Sequence, residues 1–133
     1  MQTINISSKQ REEFIDITES IKDIIDKSKV KEGLCIIYTP HTTSAITINE
    51  NADEDVKTDI ISYLSKLIPN SQGFRHLEGN SDAHIKSSLV GASETIIIEN
   101  NKLVLGTWQG VYFCEFDGPR NRKVHIQILP TNL

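Results

Sequence analysis

Apolar and polar positions along the chain switch between two periods, and the switches mark the elements. Thr3 to Ser7 reads as a short strand. In the next stretch Phe14, Ile17, Ile21 and Ile24 fit a helical stripe, while Ile15 and Ile17 also alternate with Asp16 and Thr18. A strand over Glu12 to Ile17 followed by a helix to Ser28, with Thr18 as N-cap, uses both patterns. In that helix Glu19 suits the positive end of the dipole and Lys27 the negative end. Leu34-Cys35-Ile36-Ile37-Tyr38 is too short for a helix and rich in β-formers, so it predicts a buried strand, ended by Pro40. Ala45 to Asn49 sets Ile46 and Ile48 against Thr47 and Asn49, the alternation of a half-exposed strand. Val56, Ile60, Leu64 and Leu67 form the stripe of a second helix, started at Asn51 or Asp53 and stopped by Pro69.

Residues 69 to 83 are polar and rich in Asn, Ser and Gly, which predicts a loop. A short helix over Ala83 to Val90 follows, with Ser81 or Asp82 as cap and Gly91 as its stop. Strands are expected at Glu94 to Glu99, Lys102 to Leu105, Gly110 to Phe116 and Lys123 to Leu129. The first two are joined at Asn100-Asn101, since consecutive Asn residues tolerate the positive φ of a type I′ turn. About eight strands and two or three helices, grouped rather than alternating, predict one α+β domain over residues 1–133. Its sheet is expected to be largely antiparallel, or folded into a sandwich.

Composition narrows the function classes. At 133 residues, 38% hydrophobic and 24% charged, the chain is an ordinary globular domain that needs no metal or disulfide staple. Fourteen Lys and Arg against eighteen Asp and Glu leave a net charge of −4. That sign argues against a general nucleic-acid or anionic-membrane binder. The longest aliphatic run, Ile96 to Ile98, is far short of the ~20 residues of a membrane span. The N-terminus has neither the charged nor the apolar region of a signal peptide. Cys35 and Cys114 sit in apolar runs without a CxxC partner, which predicts buried reduced thiols and a cytoplasmic protein, one disulfide being the alternative.

Three stretches concentrate polar residues: Pro40 to Ser44 followed by Asn49 to Asp53, Phe74 to Lys86, and Leu105 to Gly110 with Glu115 and Arg120 behind it. His41, His76 and His84 fall in them, and three imidazoles are a zinc set with an open position for an acidified water. No HExxH or CxxC spacing supports it, so scattered surface or core histidines are the competing reading. His125 reads as a solvent-facing strand residue. Glu50 ends a strand where no cap is required, which points to a general base or a Mg²⁺ ligand; Asp53 serves either there or as a helix cap. Glu78 and Asp82, each two residues from a histidine, are candidates to ligate a metal or to hold an imidazole in one tautomer. Glu115 in an apolar strand either faces solvent, the simpler expectation, or has a buried partner. Lys86 and Arg120 are candidate phosphate cations. Trp108 is a core anchor or a stacking platform.

The motifs His41-Thr42-Thr43-Ser44, Thr47-Ile48-Asn49-Glu50-Asn51-Ala52-Asp53, Glu78-Gly79-Asn80 and His84-Ile85-Lys86-Ser87-Ser88 follow one another in order, and after them come Leu105-Gly106-Thr107-Trp108-Gln109-Gly110 and Cys114 through Arg120. Together they resemble the YjbQ family, also described as secondary thiamine-phosphate synthases, nearly end to end. The resemblance implies a compact α+β homotrimer with a polar pocket lined by His41, His76 and His84 near a subunit boundary. It also implies a weak transferase activity that joins a pyrimidine diphosphate to a thiazole phosphate and releases pyrophosphate. Glu50, Asp53 and His84 are then the catalytic candidates. Asn51, Lys86, Trp108, Gln109 and Arg120 are the substrate-binding ones. A metal-dependent hydrolase or lyase at the histidines, and a non-catalytic trimer that binds a small anion, are the alternatives. The expected cofactor is a divalent metal, Mg²⁺ with substrate phosphates or Zn²⁺ at the histidines, with no organic cofactor. The expected partner is a small phosphorylated or anionic substrate, without nucleic acid or membrane.

Overall fold

A computed structural model describes residues 1–71 and 73–131. Eight strands and three helices fall in these residues: β1 (Gln2–Ser7), β2 (Glu13–Asp16), α1 (Thr18–Ser28), β3 (Gly33–Tyr38), β4 (Ser44–Glu50), α2 (Glu54–Leu67), α3 (Ser81–Val90), β5 (Ser93–Glu99), β6 (Lys102–Leu103), β7 (Gln109–Glu115) and β8 (Asn121–Pro130). Every strand pairing is antiparallel. One sheet runs β1-β8-β3-β5-β6 and the other β2-β7-β4. The α+β class expected from the sequence is the class observed, with the strands curled into a half-barrel. Among the described residues no helix is long and apolar enough to cross a membrane.

The layers follow from side-chain phase. On β7, Val111 and Phe113 join the main core with Ile21 and Ile25 of α1, Cys35 and Ile37 of β3, and Val124 and Ile126 of β8. Tyr112 and Cys114 point the other way, into a second cluster with Phe14, Ala45 and Phe116, covered by Ile60, Ile61 and Leu64 of α2 and Ala83 of α3. Strand β7 is thus apolar on both faces, which is why its sequence shows a continuous run rather than an alternation.

Element ends depart from the pattern in instructive ways. The N-cap of α1 is Ile17 and not Thr18. Thr18 instead accepts the Val111 N–H at 2.9 Å across to β7 and donates to Asp16, whose Oδ1 also takes the Thr18 N–H. Asn80 precedes α3 in place of the expected Ser81 or Asp82, because the Asp82 carboxylate is drawn off to Arg11 and Lys86. Helix α2 has no buried residue, and Leu67, placed on its apolar stripe by the sequence, is exposed. Asn100 and Asn101 do adopt φ of 53° and 60°, as the hairpin requires.

Candidate functional site

Three segments meet at one end of β4 and β7. They are the link from β3 to β4, the N-terminal turn of α3, and the turn from β7 to β8. The last turn is pressed so closely against the chain at Gln10 that a Cβ on Gly118 would lie 2.2 Å from the Gln10 carbonyl oxygen, so only glycine fits. Beneath them Glu115 is fully buried, and it is in phase with Val111 and Phe113. Arg122 is in phase with Val124 and Ile126, so both side chains point between the sheets and form an ion pair. The Glu115 carboxylate accepts from Arg122 Nε at 2.9 Å, from Ser8 Oγ at 2.6 Å and from the Asp117 N–H at 3.1 Å, while Arg122 Nη2 donates to Thr43 Oγ1 at 2.8 Å. The expectation that Glu115 faces solvent is therefore corrected. A buried carboxylate with no partner would be prohibitively costly, and here every oxygen has a donor.

Above this network lie two adjoining clefts of about 340 and 630 Å³. The smaller is lined by Asn80, Asp117 and Arg120, the larger by Tyr38, Ser87 and Ala92, and both by His41, Thr42 and His84. Arg120 donates from Nε to the Asp117 carbonyl at 2.8 Å and from Nη2 to Asp117 Oδ2 at 2.9 Å. Its side chain remains 53% exposed. A guanidinium has five N–H donors, so three of them are left for the cleft. The Asn80 side chain makes no cap bond; its Nδ2 donates to Asp117 Oδ2 at 2.7 Å. The first intrahelical bond of α3 belongs to the Ala83 N–H, which leaves the Ser81 and Asp82 N–H groups ahead of it. Such a helix end favours anions.

His41 Nε2 accepts the Lys123 N–H at 2.9 Å, which puts the proton of a neutral ring on Nδ1. Burial, joined by the Arg122 charge, holds the His41 pKa below that of a free histidine. His76 and His84 meet edge to face with ring centroids 5.4 Å apart, and His76 Nδ1 is 3.1 Å from Ser81 Oγ. The remaining His76 nitrogen lies 3.7 Å from Glu78.

The structure therefore gathers His41, His84 and Arg120 in one cleft with His76 beside it. It withdraws Lys86. The Lys86 side chain is only 1% exposed and is paired to Asp82 at 2.9 Å and to Glu12, which also accepts from Ser65 of α2. Its ammonium is thus answered by two carboxylates, and it borders a separate cleft with Arg11 and Ser65 rather than the clefts of His41 and Arg120. Burial alone would raise the Asp82 pKa, but the hydrogen bonds from Arg11 and Lys86 outweigh it and hold Asp82 below the usual aspartate value. The remaining candidates stand at the other end of the sheet. Glu50 pairs with Gln109 where Ser44 pairs with Glu115, six residues or about 20 Å along the strand. Asp53 caps α2 by accepting the Asp55 N–H at 2.9 Å. Asn51 donates to Asp16, Gln109 accepts from the Gly106 N–H, and Trp108 is 62% exposed, which removes the core-anchor reading. His125, expected to face solvent, is half-buried, stacked on Tyr38 and bonded to Thr3.

Among the described residues no three His, Cys, Asp or Glu side chains are arranged as a metal-ligand group. His41 Nε2 is taken up by the Lys123 N–H, and His76 Nδ1 lies against Ser81 Oγ. Burial pushes the Cys35 thiol up to about 11 and the Cys114 thiol well above its ordinary value, so neither is a thiolate nucleophile.

Residues 2–131 match the family described as UPF0047 protein YjbQ-like. A UPF0047 protein of Methanocaldococcus jannaschii is 61% identical over 93% of this chain and 90% of its own. YugU of Bacillus subtilis is 48% identical over 97% of this chain and 98% of its own. A solved structure of a YjbQ/UPF0047 family protein from Clostridium acetobutylicum superposes with a TM-score of 0.95 at 52% identity, covering 97% of this chain and all of the other.

Proposed function

The chain belongs to the UPF0047 family of YjbQ-like proteins, and from that premise we propose that its cleft holds a small phosphorylated molecule, in a transferase of the secondary thiamine-phosphate synthase type. One observation carries the reading. Free donors of Arg120, the N-terminal turn of α3 and a neutral His41 all border a single polar cleft. In the reaction the C–O bond from a pyrimidinylmethyl carbon to pyrophosphate breaks, and the ring nitrogen of the thiazole phosphate supplies the electron pair of the new C–N bond. Charge builds on the leaving oxygens, and the Arg120 guanidinium and the helix N–H groups neutralise it in place. His41 presents a hydrogen-bond donor at Nδ1, and His84, shared by both clefts, can donate to the departing pyrophosphate oxygen. Magnesium carried in on the phosphates would meet oxygen donors at Glu78 and Asp117 and would neutralise leaving-group charge.

Glu50 and Asp53 serve this chemistry only if another copy brings its far sheet end to the cleft. A homotrimer that set this sheet end against a neighbour's cleft would do so, and the exposed Tyr63, Leu67 and Leu89 supply apolar surface for association. The distance of those carboxylates from the cleft within one chain favours a second reading, a protein that binds the anion without turnover. Incubation with the pyrimidine diphosphate and the thiazole phosphate separates the two. Thiamine phosphate formation that falls at least tenfold in Arg120→Gln is the expected result. Saturable binding with no product sinks the transferase and leaves the binder.

A further inference from the structure

Asn80 is the odd residue of the cleft. It is 9% exposed, its Nδ2 is committed to Asp117, and its Oδ1 is buried with no hydrogen-bond partner. That oxygen has no donor within hydrogen-bond distance, and an orphaned buried acceptor asks for one. Side-chain amide torsions are broad, so a small turn presents this oxygen to the cleft while Nδ2 stays near Asp117. We propose that Asn80 is a specificity-determining residue, whose Oδ1 accepts from a hydroxyl on the bound oxyanion, so that the cleft takes hydrogenphosphate in preference to sulfate.

The inference rests on reading the cleft as an anion site and goes beyond it. Arg120 and the N–H groups of α3 recognise charge, and they treat any tetrahedral dianion alike. Asn80 asks for something charge does not supply. Hydrogenphosphate carries a P–OH that donates to an acceptor; sulfate at the same pH carries none. Sulfate in the cleft leaves Asn80 Oδ1 orphaned and brings its own lone pairs toward it. The same rule applies to a pyrophosphate leaving group, which the acceptor recognises once a proton has reached it.

Calorimetric titration of the full chain with potassium phosphate and potassium sulfate tests this. The pH is set mildly alkaline, where both ions are dianions, and the ionic strengths are matched. Phosphate is expected to bind at least about tenfold more tightly than sulfate, a difference of ~1.4 kcal/mol. Arg120→Gln should weaken both ions by a similar factor and keep their ratio. Asn80→Ala should bring the ratio close to one, with a thermal melt to confirm that the variant is folded. Equal affinity for the two ions in the wild type overturns the assignment of Asn80 and leaves the anion site standing. Binding of neither ion overturns both.

Discussion

Lys86 and Arg120 are both cations among carboxylates, and they stand in opposite conditions. Lys86 is sealed between Asp82 of its own helix and Glu12 of the chain entering β2, and the same Glu12 holds Ser65 of α2. Arg120 leans on Asp117 alone and keeps half of its surface open to a cleft. A buried cation with all its charge answered by protein ties elements together, whereas a cation held by one carboxylate with donors to spare is available to a ligand. Partner geometry, not residue type, separates structural from functional charge.

Breaking the sealed cluster should have the largest effect. Lys86→Met leaves Asp82 and Glu12 without their shared partner, and breaking a buried pair in this way costs about 3–5 kcal/mol, read by urea denaturation. Acid should reach the same cluster from the other side. The folded Asp82 pKa lies below its unfolded value, so its contribution is present above the ordinary aspartate range and is lost as pH falls through the folded value. Asp82→Asn should flatten that acid limb of stability; an unchanged limb would mean the Arg11 and Lys86 contacts carry no linkage.

Glu115→Gln sharpens the comparison from beneath the cleft. It keeps the shape but removes the charge facing Arg122, and should lower stability by about 2 kcal/mol in the same assay. The cleft's own cation behaves differently. Arg120→Gln should leave the unfolding free energy within about 1 kcal/mol, since an exposed pair contributes little, while anion affinity falls about tenfold. Smallest of all, Glu50→Gln should change single-chain phosphate affinity by less than about twofold, within the range of surface substitutions. A large loss there would show that a neighbouring copy delivers Glu50 to the cleft.

Much of this was legible in the residues, and the misses have physical causes. Period and turn chemistry located all three helices and the β5–β6 turn, because those signals are local. The fate of Glu115 was also within reach. Its phase with Val111 and Phe113, set against the phase of Arg122 with Val124 and Ile126, directs both inward. Lys86 was not legible, since its second partner Glu12 lies 74 residues away and only the fold brings them together. Motif adjacency does not carry over to space at Glu50, which follows His41 closely in sequence. An extended strand carries it to the opposite sheet end. Asn80 and Asp117 lie within the motifs that the sequence offers, but their pairing across 37 residues is visible only in the fold.

Binding of inorganic pyrophosphate to the wild type, Arg120→Gln and Lys86→Met, followed by calorimetry, tests the anion-site assignment most directly. Saturable binding to the wild type that weakens at least tenfold in Arg120→Gln, and persists in Lys86→Met under conditions where it is folded, is expected. No binding to the wild type, or a loss in folded Lys86→Met that equals the loss in Arg120→Gln, would contradict it.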